Sequence, residues 1–163
     1  MGVNLAMTPT RAWAKFGERA VGKRPGNRGS NISVIGAVGI DDVKGWYPYD
    51  GAIDGERFIG FMKTRIVTAL KPGDHVVMDN VRFHHIAPVR QIIEATGAML
   101  TYLPPYSPEL NPIEEVFSVV KSKIKRSQPR DIPQLVQALE DAWASVTRGK
   151  LVGFFLHALL QPA

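Results

Sequence analysis

The sequence contains no cysteine. Disulfides, thiolate zinc sites and cysteine nucleophiles are therefore excluded from these 163 residues. Long apolar runs are missing too. None approaches the roughly 18 to 20 residues that span a bilayer. The opening stretch MGVNLAMTPTRAWAKF lacks the apolar core of a secretory signal. We therefore expect a cytoplasmic chain with no membrane partner. Acids are scarce in the first thirty residues, where Glu18 alone faces Arg11, Lys15, Arg19, Lys23, Arg24 and Arg28. No internal repeat and no long linker interrupts the chain, so residues 1–163 are expected to form a single domain.

What is present is a basic balance. The formal net charge is +5 and the pI is near 9.6, which favours a polyanionic partner. Glycines and Pro25 break the basic N-terminal stretch (GKRPGNRGS). Two readings of it stay open: a solvated edge, or an arm whose cations neutralise DNA phosphates. Trp13 and Phe16 are expected to pack rather than stack on bases.

Hydrophobic patterning gives the elements. NISVIGAVGI (31–40) is apolar on both faces, as in a buried strand. KGWYPYDGAI (44–53) reads as its antiparallel neighbour after an Asp41-Asp42 turn. Asp54 can cap a helix with Phe58, Met62, Ile66 and Leu70 on one face. Val76–Met78 forms a short strand, and 86–96 a helix stopped by Gly97. Ala98–Leu103 forms another strand. A helix then begins at Pro112 with Asn111 as its cap. Its buried stripe is Ile113, Phe117, Val120 and Ile124. A further helix starts at the capping box of Asp131 and Gln134. Gly149 should separate a last one, Leu151–Leu160. Strands alternating with helices predict an α/β fold with a mixed sheet flanked by helices.

Two carboxylates carry the chemistry. Asp79 leaves the C-terminal end of a strand, where sites form in such sheets, and Glu114 opens a helix. Each has an ordinary reading, Asp79 as a turn former and Glu114 as a first-turn acid. Together they are hard oxygen ligands suited to Mg²⁺ or Mn²⁺. Two such ions can activate a water and stabilise the leaving oxygen of a phosphodiester. Glu115 points about 100° away and cannot share that metal. His84 and His85 are either further ligands or loop hydrogen-bonders. Lys121 and Lys125 share a helix face with Glu114 and Ser118. With Arg126 they suit a DNA backbone.

The Asp79-Asn80 pair is followed, after 34 intervening residues, by Glu114 inside LPPYSPELNPIE. That block resembles the DDE transposases of the mariner-like superfamily, in their bacterial insertion-sequence branch. NLAMT, the GER at 17–19, ISVIGAV and GAIDGERF are similar to family text too. The likeness is close from Gly2 to Arg126 and weaker after Arg130.

The resemblance implies a ribonuclease H-like fold and cut-and-paste transposition: nicking at transposon ends, then strand transfer by the freed 3′-hydroxyl. It implies an Asp-Asp-Glu triad on two divalent ions, with Asp79 matching the second Asp and Glu114 the Glu. Asn80 and the loop Pro104, Pro105, Tyr106, Ser107, Pro108, Asn111 and Pro112 would shape the site. DNA (transposon ends and target) would be the partner, with self or intact transposase as a dimer mate. No small-molecule cofactor is implied, and the setting would be the bacterial nucleoid.

The family's first Asp lies just before a glycine that Gly2 matches. The chain is thus expected to be an N-terminally truncated catalytic domain, without its first strand and without the helix-turn-helix domains. It should be inactive alone. Two alternatives remain: a non-catalytic DNA-binding or regulatory remnant, and a stand-alone nuclease with a third acid. Asp41, Asp42 and Asp54 fall at turns and do not match the first Asp, which leaves Asp74 and Asp50 to consider.

Overall fold

The computed structural model describes residues 1–9, 13–21, 26 and 29–160. Arg11, Lys23, Arg24 and Arg28 of the basic stretch lie outside them. Strands β1 (Gly2–Val3), β2 (Ile32–Val38) and β3 (Val43–Asp50) form an antiparallel sheet in that order. Strands β4 (His75–Met78) and β5 (Met99–Tyr102) form a parallel pair. The helices are α1 (Gly55–Phe61), α2 (Ala87–Glu94), α3 (Pro112–Ser127), α4 (Ile132–Ala144) and α5 (Arg148–Leu159). None of the described helices is long and apolar enough to cross a membrane.

The α/β fold class is as expected, with one correction. The first strand was expected to be lost, yet Gly2 pairs with Ser33 and Val3 with Ile32. Met1 extends the ladder: its ammonium donates to the Val34 carbonyl at 3.0 Å, and the Val34 N–H donates back at 2.7 Å. Val3 is fully buried, so burial of its side chain helps hold this short strand in place.

Local chemistry sets the helix ends. Asp54 Oδ1 accepts the Arg57 N–H at 2.9 Å and starts α1. The winding then widens to a π-helical turn over Met62–Ile66 and closes in a 3₁₀ turn. Asp131 accepts the Gln134 N–H at 2.8 Å, while the Gln134 side chain accepts the Arg130 N–H at 3.0 Å. Helix α5 begins before Gly149, which lies inside it rather than ahead of it. Along α3 the fully buried side chains are Val116, Val120 and Ile124, with Ile113 and Phe117 packed beside them. Trp13 and Phe16 were expected to pack and are fully exposed.

Burial falls into two clusters. Val3, Ile32 and Val34 pack with α3, α4 and Leu151 of α5. Ile35 packs on the opposite side with Phe58, Phe61, Met62, Met78, Val89, Ile93 and Leu100. Val34 and Ile35 are consecutive on β2, and strand alternation turns them to opposite faces. Helices thus cover the three-stranded sheet on both sides. Between β2 and β4 lies a cavity of about 880 Å³.

Candidate active site

Asp79 directly follows β4, and its side chain is 41% exposed. His84 holds one of its oxygens: Nδ1 lies 2.7 Å from Oδ1 and 3.2 Å from the Asp79 carbonyl. The His84 ring sits between Phe58 and Phe83, with centroids 4.4 and 4.7 Å away, and its carbonyl accepts the Tyr102 hydroxyl at 2.8 Å. His85 stacks on Tyr102 at 4.1 Å and meets the Asn80 side-chain oxygen. Both histidines and Asn80 therefore brace the loop after β4. Among the described residues the second oxygen of Asp79 meets no donor, and it suits an incoming cation.

Glu114 is exposed in the first turn of α3, where its N–H donates to the Asn111 carbonyl at 3.0 Å. Asn111 occupies the cap position but makes no capping bond through its side chain. That side chain lines the cavity, as Asp79 and Glu114 do. The connection from β5 to α3 carries the chain from the strand beside Asp79 to the helix that bears Glu114. Leu103 N–H donates to the Met78 carbonyl at 2.8 Å, so the proline loop departs beside Asp79. Pro104 and Pro105 stiffen it. Tyr106 is fully exposed at φ 59°, and Ser107 leads into a 3₁₀ turn over Pro108–Leu110. Pro112 then fixes the start of α3.

The Met1 ammonium stands at the same end of the cavity. Burial pushes its pKa below 8.0 and nearby Lys121 adds to that, while Glu114 and Asp79 oppose it. Two acids and Lys121 thus act on one point. Lys121 and Lys125 are half-buried on α3 and Arg126 is exposed. Glu115 turns to α5, where His157 Nδ1 lies 2.6 Å from Oε1. That pair joins segments 42 positions apart, and no local pattern announces it.

The remaining acids serve turns. Asp41 pairs with Lys44 at 2.8 Å, and that hydrogen bond holds its carboxyl below the usual range. Asp42 accepts the Val43 N–H, and Asp54 caps α1. Asp74 accepts the Lys71 N–H at the far end of β4. The four residues of β4 separate it from Asp79, five steps or roughly 16 Å, too far to share a metal. Asp50 closes β3, where its carbonyl takes the Arg57 guanidinium. Among the described residues no group of three His, Cys, Asp or Glu side chains could hold a metal. The donor set is thus two hard carboxylates. That fits magnesium, which binds through one or two carboxylates completed by water and substrate phosphates.

The fold has known counterparts. The crystal structure of the Mos1 strand transfer complex superposes with a TM-score of 0.74 at 13% identity, over 96% of this chain and 48% of that one. The Mos1 mariner paired end complex with Mn gives 0.72 at 13%, over 96% and 49%. The catalytic domain of Mos1 mariner transposase gives 0.63 at 13%, over 78% and 68%. The chain thus spans about half the length of the Mos1 chains in those complexes. At this identity the likeness establishes the ribonuclease H-like fold. No curated protein sequence matches the chain. A family profile, the DDE superfamily endonuclease, matches residues 1–136, and with more than four-fifths of its length so matched the chain belongs to that family.

Proposed function

We propose that this chain is the catalytic domain of an insertion-sequence transposase, acting on DNA with a divalent ion. The observation that carries the reading is that Asp79, from a strand end, and Glu114, from a helix start, line one cavity and both act on the Met1 ammonium. These two residues would hold the ion. When bound, it supplies an activated water and charge stabilisation at the scissile phosphate. His84 fixes the rotamer of Asp79 through the 2.7 Å contact. Asn80, Asn111 and the stiff Pro104–Pro112 segment shape the wall that a DNA strand would meet. Lys121, Lys125 and Arg126 would neutralise its phosphates. The Mos1 counterparts are complexes with transposon ends and with Mn, which supports DNA and a divalent ion as this chain's partners. Self-association, or association with an intact transposase, belongs to the same reading, as does a nucleoid location.

With two carboxylates instead of three, the 163-residue chain alone binds metal weakly and cleaves little DNA. The test is nicking of supercoiled plasmid by folded protein in Mn²⁺, beside Asp79→Ala. Nicking abolished by Asp79→Ala would refute the low-activity expectation and favour a stand-alone nuclease. Nicking that survives Asp79→Ala would refute the assignment of the site. The absence of a third donor among the described residues also favours a second reading, a non-catalytic DNA-binding or regulatory role. DNA binding without metal, lost on removing the α3 cations, would support it.

A further inference from the structure

We infer that Tyr106 stacks its ring on an unpaired base of the DNA strand held at Asp79. The inference rests on the DNA-acting reading above and extends it from phosphates to bases.

Among the described residues, two that are not glycine have a positive φ: Gln128 at 48° and Tyr106 at 59°. Gln128 is the left-handed cap that ends α3, an ordinary place for that conformation. Tyr106 ends no helix. Glycine or asparagine would adopt its backbone more cheaply than tyrosine does. Burial of the ring does not offset that cost, since the residue is fully exposed. A strained backbone under an uncovered aromatic points to a partner outside the chain.

The frame around the ring is stiff. Pro104, Pro105 and Pro108 fix their own φ. Ser107 Oγ donates to the Pro105 carbonyl at 3.4 Å, and the 3₁₀ turn over Pro108–Leu110 packs on α3 and α5. The ring is thus held out before any ligand arrives, and binding orders little beyond its side-chain torsions. Its place suits the site. Tyr106 comes three residues after Leu103, whose N–H donates to the Met78 carbonyl at 2.8 Å beside Asp79. Such a segment reaches at most about 11 Å, or about three nucleotide steps along a strand.

Chemistry selects the base. Between Leu103 and Glu114 the only charged side chain is Glu109. The loop therefore offers DNA no cation for a phosphate, only an aromatic face, and a nucleobase stacks on such a face. A base inside a duplex is covered on both sides, so the one that meets Tyr106 is unpaired or displaced.

The experiment measures DNA binding by the full 163-residue chain, without metal, by fluorescence anisotropy. The probes are a duplex with a single-stranded tail of about five nucleotides and a copy whose tail is abasic. The expected result is about tenfold tighter binding of the base-bearing tail, the scale of one aromatic stack. Tyr106→Asn should abolish that preference while leaving the salt slope unchanged and Tm equal or up to about 4 °C higher. Tyr106→Phe should keep the preference. Equal binding of the two tails with a normal salt slope would overturn the stacking and leave the DNA-acting reading standing. No salt-dependent binding of either probe would overturn both. A preference that survives Tyr106→Asn would overturn the inference, as would a large fall of Tm in that variant. So would self-association that Tyr106→Asn abolishes, since the ring would then serve a second copy.

Discussion

Replacing Gly36 by alanine should destabilise the protein, and the structure gives the size of the effect. A Cβ on Gly36 would lie 2.5 Å from Cη2 and 3.0 Å from Cζ2 of Trp143, and 3.4 Å from Phe117. The indole cannot swing aside. It is 2% exposed, stacked on Trp46 at 5.7 Å and 5°, and met edge-on by Phe117 at 6.1 Å. Overpacking of this kind costs about 1–3 kcal/mol. Alanine recovers about 0.5–1 kcal/mol of backbone entropy in a strand. The net loss is therefore about 1–2 kcal/mol, which for a domain of this size lowers Tm by about 2–8 °C. Urea unfolding followed by circular dichroism reads it. Trp143→Phe provides the cross-check, because a phenyl ring ends short of Cη2. It also removes Nε1, a buried donor with no partner among the described residues. The double variant should be more stable than the two single losses predict, with a coupling of about 1 kcal/mol. A neutral or stabilising Gly36→Ala, or additive single effects, would refute the packing account.

Other outcomes follow from individual contacts. Asp131→Ala removes the cap of α4 and should cost about 0.5–2 kcal/mol in the same unfolding assay, with Asp131→Asn nearly silent. Lys121→Ala with Lys125→Ala should weaken DNA binding similarly for all sequences. If both cations touch phosphates, the slope of log K against log salt should fall by about 1.8, and an unchanged slope would remove them from the interface. Asp41 has a carboxyl pKa lowered by Lys44, so its contribution is present above the unfolded value of 3.8 and lost as pH falls through the folded pKa. Acid titration of Asp41→Asn should show a correspondingly flatter loss of stability. Asp79→Asn and Glu114→Gln should each weaken Mn²⁺ binding, measured by calorimetry, while leaving Tm without metal nearly unchanged. A large Tm loss in either would mark the residue as structural.

Much of the fold was legible because period and punctuation agreed. The apolar run at 31–40 became β2, Asp54 and Asp131 became caps, and Pro112 opened α3. The spacing after Asp54 put Phe58, Met62 and Ile66 inside, but it did not show the π-helical turn, where one extra residue per turn barely disturbs a short apolar pattern. Strand β1 was illegible for a different reason. Two residues carry no periodicity, and only the ladder to Ile32 and Ser33 defines them. Of the candidate residues, Asp79 and Glu114 both line one cavity, and Glu115 turns to His157 instead. What could not be read was the bracing of Asp79 by His84 and the Glu115–His157 pair, since both depend on how separate elements pack. Trp13 and Phe16 show the converse error, because aromatic character alone does not say what a side chain finds to cover it.

The two buried clusters meet at β2, which supplies Val34 to one and Ile35 to the other. Asp79 follows a strand of the second cluster, and Glu114 begins a helix of the first. The gap between the two carboxylates is thus a vernier, set by how the halves sit on that shared strand. A substitution deep in either half, touching no acid and no DNA, can move the reading of that scale and so retune the affinity for a cation.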